Sequence, residues 1–250
     1  MIDVNAFIGS YPWRHLPHPD PGVLVRVLER EGLSGAWVGH LPTAFHRDPT
    51  HGNAELLRLV APFAGTLRAV PVTRPDWPGW SDALHALAAQ DPAAIRAYPQ
   101  LWGFAPGEGR LAELAASCQS LGLPVVLTVR FEDLRQRHPL DQSPDLSAAH
   151  VRELARAGTG ARLIVTAAGR EMVEEVHWGL TPAEREHVVW DISWLWGPPT
   201  DDLSHLLRTL GADRFVYGTM WPLRLAQTPR ANLALRDADV AQATLAEPGG

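Results

Sequence analysis

Arg96 and Tyr98 stand two residues apart in the stretch AIRAYP, Thr128 and Arg130 in PVVLTVR, and Asp191 and Ser193 in VVWDISW. In an extended run that spacing sends both side chains to one face. A guanidinium placed inside a fold must be paired with a carboxylate or an anionic ligand, because an unpaired buried charge is costly. Asp3, Glu132, Asp133 and Asp191 are the protein carboxylates within this set. On the ligand reading, Arg96 and Arg130 clamp an acid in one shared cavity while Asn5 and Tyr98 donate hydrogen bonds. His138, Asp191 and His40, which end or follow apolar runs, are the candidates for moving protons. On the structural reading, the same arginines and acids form an internal lattice and hold nothing.

Other chemistries have less to stand on. Of the eleven histidines, His15, His18, His40, His46 and His51 follow the first two apolar runs. His15 and His18 are three apart, but Pro17 and Pro19 flank His18, so no helix face joins them, and a metal site needs convergent ligands with a second shell. Neither a metal nor another cofactor is therefore expected. Cys118, inside RLAELAASCQSLG, reads as a small core residue. Gly158-x-Gly160 precedes an apolar run instead of following one, and no Gly-x-Ser-x-Gly elbow occurs. All 22 basic residues are arginine. That excludes lysine Schiff bases, a pyridoxal phosphate linkage, a P-loop and a carbamylated lysine.

The elements that must position these residues repeat with one rhythm. Apolar runs begin at residues 2, 35, 67, 94, 124, 162, 187 and 214. Between them lie segments with helical spacing, such as GVLVRVLERE, AELLRLVAPF, AAHVRELARAG and DLSHLLRTLGA. Several close on glycine (Gly32, Gly122, Gly158, Gly211), suited to a left-handed helix end. Eight β/α units in 250 residues predict an α/β fold, a single-domain (β/α)8 TIM barrel over residues 1–250. In the first run, Asp3, Asn5 and Phe7 share one parity and are expected to line the interior.

In such a barrel chemistry sits where strands end. Trp13, Trp77, Trp102, Trp194, Trp196 and Trp221 fall there. Their rings predict a dry mouth for a ligand with an apolar or aromatic body, or else packing of loops and a homodimer interface. A net charge of −6 argues against nucleic acid, and no apolar run is long enough to cross a membrane. One cysteine, and a strand starting at residue 2 with no leader before it, make a cytoplasmic location the expectation.

The opening IDV-x-x-x-I-G and the closing GADRFVYGTMWP resemble the amidohydrolase-related family of metal-dependent hydrolases and decarboxylases. That family begins with an Asp-x-His-x-His strand and ends with a Gly-Ser-Asp-aromatic-Pro turn after strand 8. The resemblance implies the barrel and places five metal ligands. The strand 1 histidines fall on Asn5 and Phe7, and those of strands 5 and 6 near Thr128 and Ala167. The strand 8 aspartate falls on Met220. Phe, Ala and Met offer a divalent cation no adequate donor, and Asn and Thr are weak ones.

The expectation is therefore a metal-independent hydrolase or lyase of that ancestry, acting on or binding a small carboxylate at the C-terminal mouth. Its binding residues would be Asn5, Arg96, Tyr98, Arg130, Trp13, Trp102, Trp194 and Trp221. The alternatives are a catalytically inactive scaffold that binds a ligand or partner and, third, a metal-dependent hydrolase with relocated ligands.

Overall fold

Each of the eight apolar runs forms a strand in the computed structural model, which describes residues 1–17 and 19–248; His18 lies outside the described residues. The strands are β1 (Ile2–Ile8), β2 (Gly35–His40), β3 (Leu67–Ala69), β4 (Ile95–Ala97), β5 (Val125–Thr128), β6 (Leu163–Thr166), β7 (Val188–Asp191) and β8 (Phe215–Val216). Helices follow: α1 (Pro21–Glu31), α2 (Leu41–Ala44), α3 (Thr50–Val60), α4 (Trp80–Ala88), α5 (Pro99–Trp102), α6 (Arg110–Ser120), α7 (Ala148–Arg156), α8 (Arg170–Trp178), α9 (Asp202–Leu210) and α10 (Gln227–Ala234). Asp20 caps α1 by accepting from Val23 N, and Gly32 ends it at φ 66°. There its N–H reaches the last carbonyls, the job glycine does without steric cost.

All strand pairs are parallel, in ladders β1-β2-β3 and β4 through β8. Two seams join the ladders. Between β3 and β4, Val72 bridges Arg96, and Ala93 N donates to Ala69 O. Between β8 and β1, Val4 N donates to Tyr217 O, Met220 N to Asn5 O and Phe7 N to Trp221 O. The sheet thus returns on itself as an eight-stranded barrel, with no edge left unpaired.

The outward row of each strand, including Val38, Leu127, Val165, Trp190 and Phe215, packs beneath the helices in the main core. The inward row fills the lower lumen with Val4, Trp37, Val70, Val126, Ile164 and Val216. Val4 there corrects the expected alternation. The β1–β2 register shifts between Asp3 and Ala6, and such a bulge turns adjacent residues to one side. Val4 and Asn5 both reach the lumen, while Asp3 turns to the β8 seam. There its carboxylate accepts from Thr219 N and Thr219 Oγ1.

Candidate functional site

Above the apolar floor lies one polar layer. Arg96, on β4, is fully buried. Its Nη1 donates to Asn5 Oδ1 at 3.1 Å and to Thr128 Oγ1 at 3.0 Å. Asn5 Nδ2 donates in turn to Asp191 Oδ2 at 2.8 Å, and Ala167 N donates to Asp191 Oδ1 at 2.8 Å. The Asp191 carboxylate fits because Gly218 faces it, where a Cβ would fall 2.4 Å from Oδ2. Arg96 also lies over the Phe7 ring at 4.6 Å, a cation–π contact. Burial holds its pKa below the ordinary guanidinium value and pushes the Asp191 and Tyr98 values up. The Tyr98 phenol sits beside this guanidinium without an aligned hydrogen bond, and Arg96 Nε and Nη2 are also unpartnered.

The layer is covered. Phe131 centres an aromatic plug, with ring centroids 5.8 Å from Phe7, 5.4 Å from Phe45, 5.5 Å from Tyr98 and 6.1 Å from Tyr11. Leu16, Leu41, Trp194, Met220 and Leu223 complete it. The dry aromatic mouth expected from the tryptophans is thus a packed lid over the lumen, with Arg96 buried beneath it.

The expected site residues separate accordingly. Asn5, Arg96, Tyr98 and Asp191 come together in the lumen. Arg130 does not join them, because β5 ends at Thr128 and strand parity no longer governs the residue two beyond. Its Nε lies 2.9 Å from Asp145 Oδ2, close but poorly aligned, and its guanidinium rests 5.6 Å from the Trp194 ring centre. One shared cavity for Arg96 and Arg130 is therefore replaced by two environments. His40 has the parity opposite to Trp37 and Gly39. It faces outward, its Nδ1 2.8 Å from Thr43 Oγ1, and burial lowers its pKa. His138 is exposed and stacks on Trp13 with centroids 5.7 Å apart. The three proton-moving candidates, His138, Asp191 and His40, thus occupy three separate places. Trp102 packs edge-on against Tyr98, and Trp221 is buried in the outer core.

Most rim arginines are already neutralised: Arg14 by Glu132, Arg135 by Asp133, and Arg137 by Asp145. Arg224 differs. Among the described residues its side chain has no ion pair and no hydrogen bond. Its guanidinium lies 4.3 Å from the Trp194 ring centre and 4.6 Å from that of Trp196. Burial lowers its pKa, with Asp191 and Asp133 opposing at longer range. It lines a rim cleft of about 290 Å³ with Trp194, Trp196, Phe131 and Thr228. On the other side of Trp194 and Trp196, a wider cleft of about 920 Å³ holds Arg130, Asp133, Arg170 and Glu174. Arg224 sits in the loop MWPLR just past the last strand, and that position after tryptophan and proline was the only sequence signal for it.

Solved structures share this architecture. A 2,6-dihydroxybenzoate decarboxylase from Rhizobium matches with a TM-score of 0.67 at 13% identity, over 98% of this chain and 97% of its own. A 2,6-dihydroxybenzoate decarboxylase complexed with 2,6-dihydroxybenzoate gives 0.63 at 13%, over 100% and 95%. An amidohydrolase from Burkholderia multivorans with bound zinc gives 0.64 at 16%, over 97% and 94%. The fold is the (β/α)8 barrel that these structures share. No family model and no curated protein matches the chain.

In this barrel the positions that the resemblance assigns to a metal do not fit one. Asn5 and Thr128 are engaged by the Arg96 guanidinium, and Phe7, Ala167 and Met220 have no donor to offer. A fixed positive charge among them repels a divalent cation. Among the described residues no group of three or more His, Cys, Asp or Glu side chains is placed to hold a metal. Ala167 and Met220 nevertheless keep left-handed backbones, φ 61° and 60°, an uncommon conformation for residues with a Cβ.

Proposed function

We propose that this chain is a metal-independent barrel that binds a small carboxylate with an aromatic or apolar body at its C-terminal rim. The observation that carries the reading is Arg224, a partly desolvated guanidinium held between Trp194 and Trp196 that forms no ion pair among the described residues, with Glu132 and Asp133 further along the same rim cleft. A carboxylate there would pair with the guanidinium while its ring packs on the indoles, and exclusion of water strengthens both contacts. Arg130, against the same Trp194 ring, lies in the neighbouring cleft beside Asp145. Support also comes from a fold neighbour complexed with 2,6-dihydroxybenzoate, an acid of this kind. The lumen set of Asn5, Arg96, Tyr98 and Asp191 then serves as the structural lattice beneath the site.

Binding, in this reading, does not need turnover, because the proton-moving candidates do not converge. One observation favours a catalytic reading: His205 Nε2 lies 2.8 Å from Glu174 Oε1, and Glu174 lines the wider cleft. A His–carboxylate pair of that kind can move a proton. Under it, His205→Gln would abolish turnover and leave ligand affinity unchanged.

The test is calorimetric titration with benzoate and 2,6-dihydroxybenzoate. Saturable binding is expected, weakened tenfold or more in Arg224→Leu. Arg208→Leu, which removes only exposed pairs with Asp237 and Asp239 outside the rim cleft, should bind as the wild type does. Failure of both acids to bind, or equal binding by Arg224→Leu, would overturn the reading.

A further inference from the structure

Outside the barrel mouth, a cleft separates α3 from α4. Helices α7 and α8, for comparison, are joined by Arg152 and Glu175 at 2.8 Å. Between α3 and α4, beyond the end of β3, lies a cleft of about 350 Å³. Ala54 and Leu57 face it from α3, Trp77, Trp80 and Leu87 from α4 and the turn before it, and Thr73 from its floor. We infer that this cleft is a second binding site, taking a neutral molecule of one or two rings with a single hydrogen-bonding group.

Three observations set that chemistry. The walls are apolar although Ala54, Ala83 and Ala86 are solvent-exposed and Leu57, Leu87, Trp77 and Trp80 half-exposed, and contiguous apolar surface of this kind marks an interaction site. The polar groups at the floor are unequally used. Asn53 spends its amide on Val72, donating to its carbonyl at 2.7 Å and accepting from its N–H at 2.8 Å. The Thr73 hydroxyl, only 3% exposed as a residue, has no hydrogen-bond partner among the described residues. Thr50 and Gln90 stand at the exposed edge of the cleft, so the buried Thr73 hydroxyl is the polar group placed to orient a ligand inside it. The charge is balanced: Arg74, the one charged residue on the lining, is held by Asp76 through Nε–Oδ1 at 2.7 Å and Nη2–Oδ2 at 3.0 Å. Nothing there calls for an ionised ligand, which separates this cleft from the Arg224 rim. The volume suits a single- or double-ring molecule.

Phenol and toluene, which differ by the hydroxyl, test this by calorimetric titration of the whole chain. One-to-one saturable phenol binding is expected, unchanged in Arg224→Leu. Thr73→Val should weaken phenol about tenfold and leave toluene as it was. Ala54→Phe, which fills the cleft from an exposed helix position, should abolish both, with melting curves confirming that each variant is folded. Absent or non-saturable phenol binding, equal phenol affinity in Thr73→Val, or full binding by Ala54→Phe would each overturn the inference. So would concentration-dependent dimerisation of the wild type that Ala54→Phe removes, since a second copy would then fill the cleft.

Discussion

Arg96 is the buried cation at the centre of the barrel's polar layer. It brings positive charge to the layer, orders Asn5 and Thr128, and reaches Asp191 through the Asn5 amide. Arg96→Met keeps the length of the side chain and removes the charge and both hydrogen bonds. It leaves buried acceptors unpaired, and should lower unfolding free energy in urea by roughly 2–4 kcal/mol. A loss below the error of the measurement would refute the lattice reading. Zinc should neither bind stoichiometrically nor raise the melting temperature of the wild type, because the donors are missing and the site already holds a cation. Stoichiometric zinc in the lumen would contradict this. Arg96, Asn5, Tyr98 and Asp191 were legible in sequence because residues within or just beyond a strand obey its parity. Arg130 and His40 were not. One lies beyond the strand end, and the other takes the outward parity of β2. Arg224 carried no signal beyond its place in the loop after the last strand, since its environment is made by two indoles from a different loop.

At the scale of elements, the eight strands and their order could be read directly, because a run of apolar residues bounded by turn formers has few other uses in a chain of this rhythm. The bulge in β1 could not, since period-2 reasoning assumes an unbroken ladder, and the shift between Asp3 and Ala6 depends on the pairing with β2. The β3–β4 seam also depends on a contact that the pattern hides. β3 ends at Ala69, yet the chain still pairs with β4 at Val72, and there Asn53 of α3 satisfies both the N–H and the carbonyl of Val72. A helix side chain thus extends the sheet edge past the last regular residue. Asn53→Ala would strand that N–H and carbonyl, and should destabilise the fold by roughly 2 kcal/mol. Amide exchange supplies the sharper check, with faster exchange expected at Val72 N–H than at Val70 N–H, which is bonded to Val38 O. Equal protection of Val72 in variant and wild type would remove the clamp from the account of the seam.

For the whole molecule, closure rests on the β8–β1 seam, and a carboxyl group sits in it. Asp3 Oδ1 accepts from Asn5 N and Thr219 N at 3.0 Å each, and Thr219 Oγ1 donates to Oδ2 while accepting from Trp221 N. Burial raises the Asp3 pKa from 3.8 to about 6, against the lowering effect of these hydrogen bonds, and it raises Asp191 in the same direction. A group with a raised folded-state pKa keeps its proton where the unfolded chain has released it. Its contribution is therefore complete below about pH 4 and is lost as pH rises through about 6. From pH 7 to pH 5 Asp3 should add about 1 kcal/mol. His40 and His177, whose pKa values burial lowers, act oppositely over the same interval, so the wild-type curve alone does not isolate the carboxyl. Asp3→Asn does. Its amide keeps an acceptor for the two backbone N–H groups and can donate to Thr219 Oγ1, while it cannot titrate. The stability difference, wild type minus variant, should grow in favour of the wild type as pH falls from 7 to 5. A difference that stays flat, or grows in the other direction, would mean that the seam holds Asp3 ionised and that barrel closure is not linked to its proton.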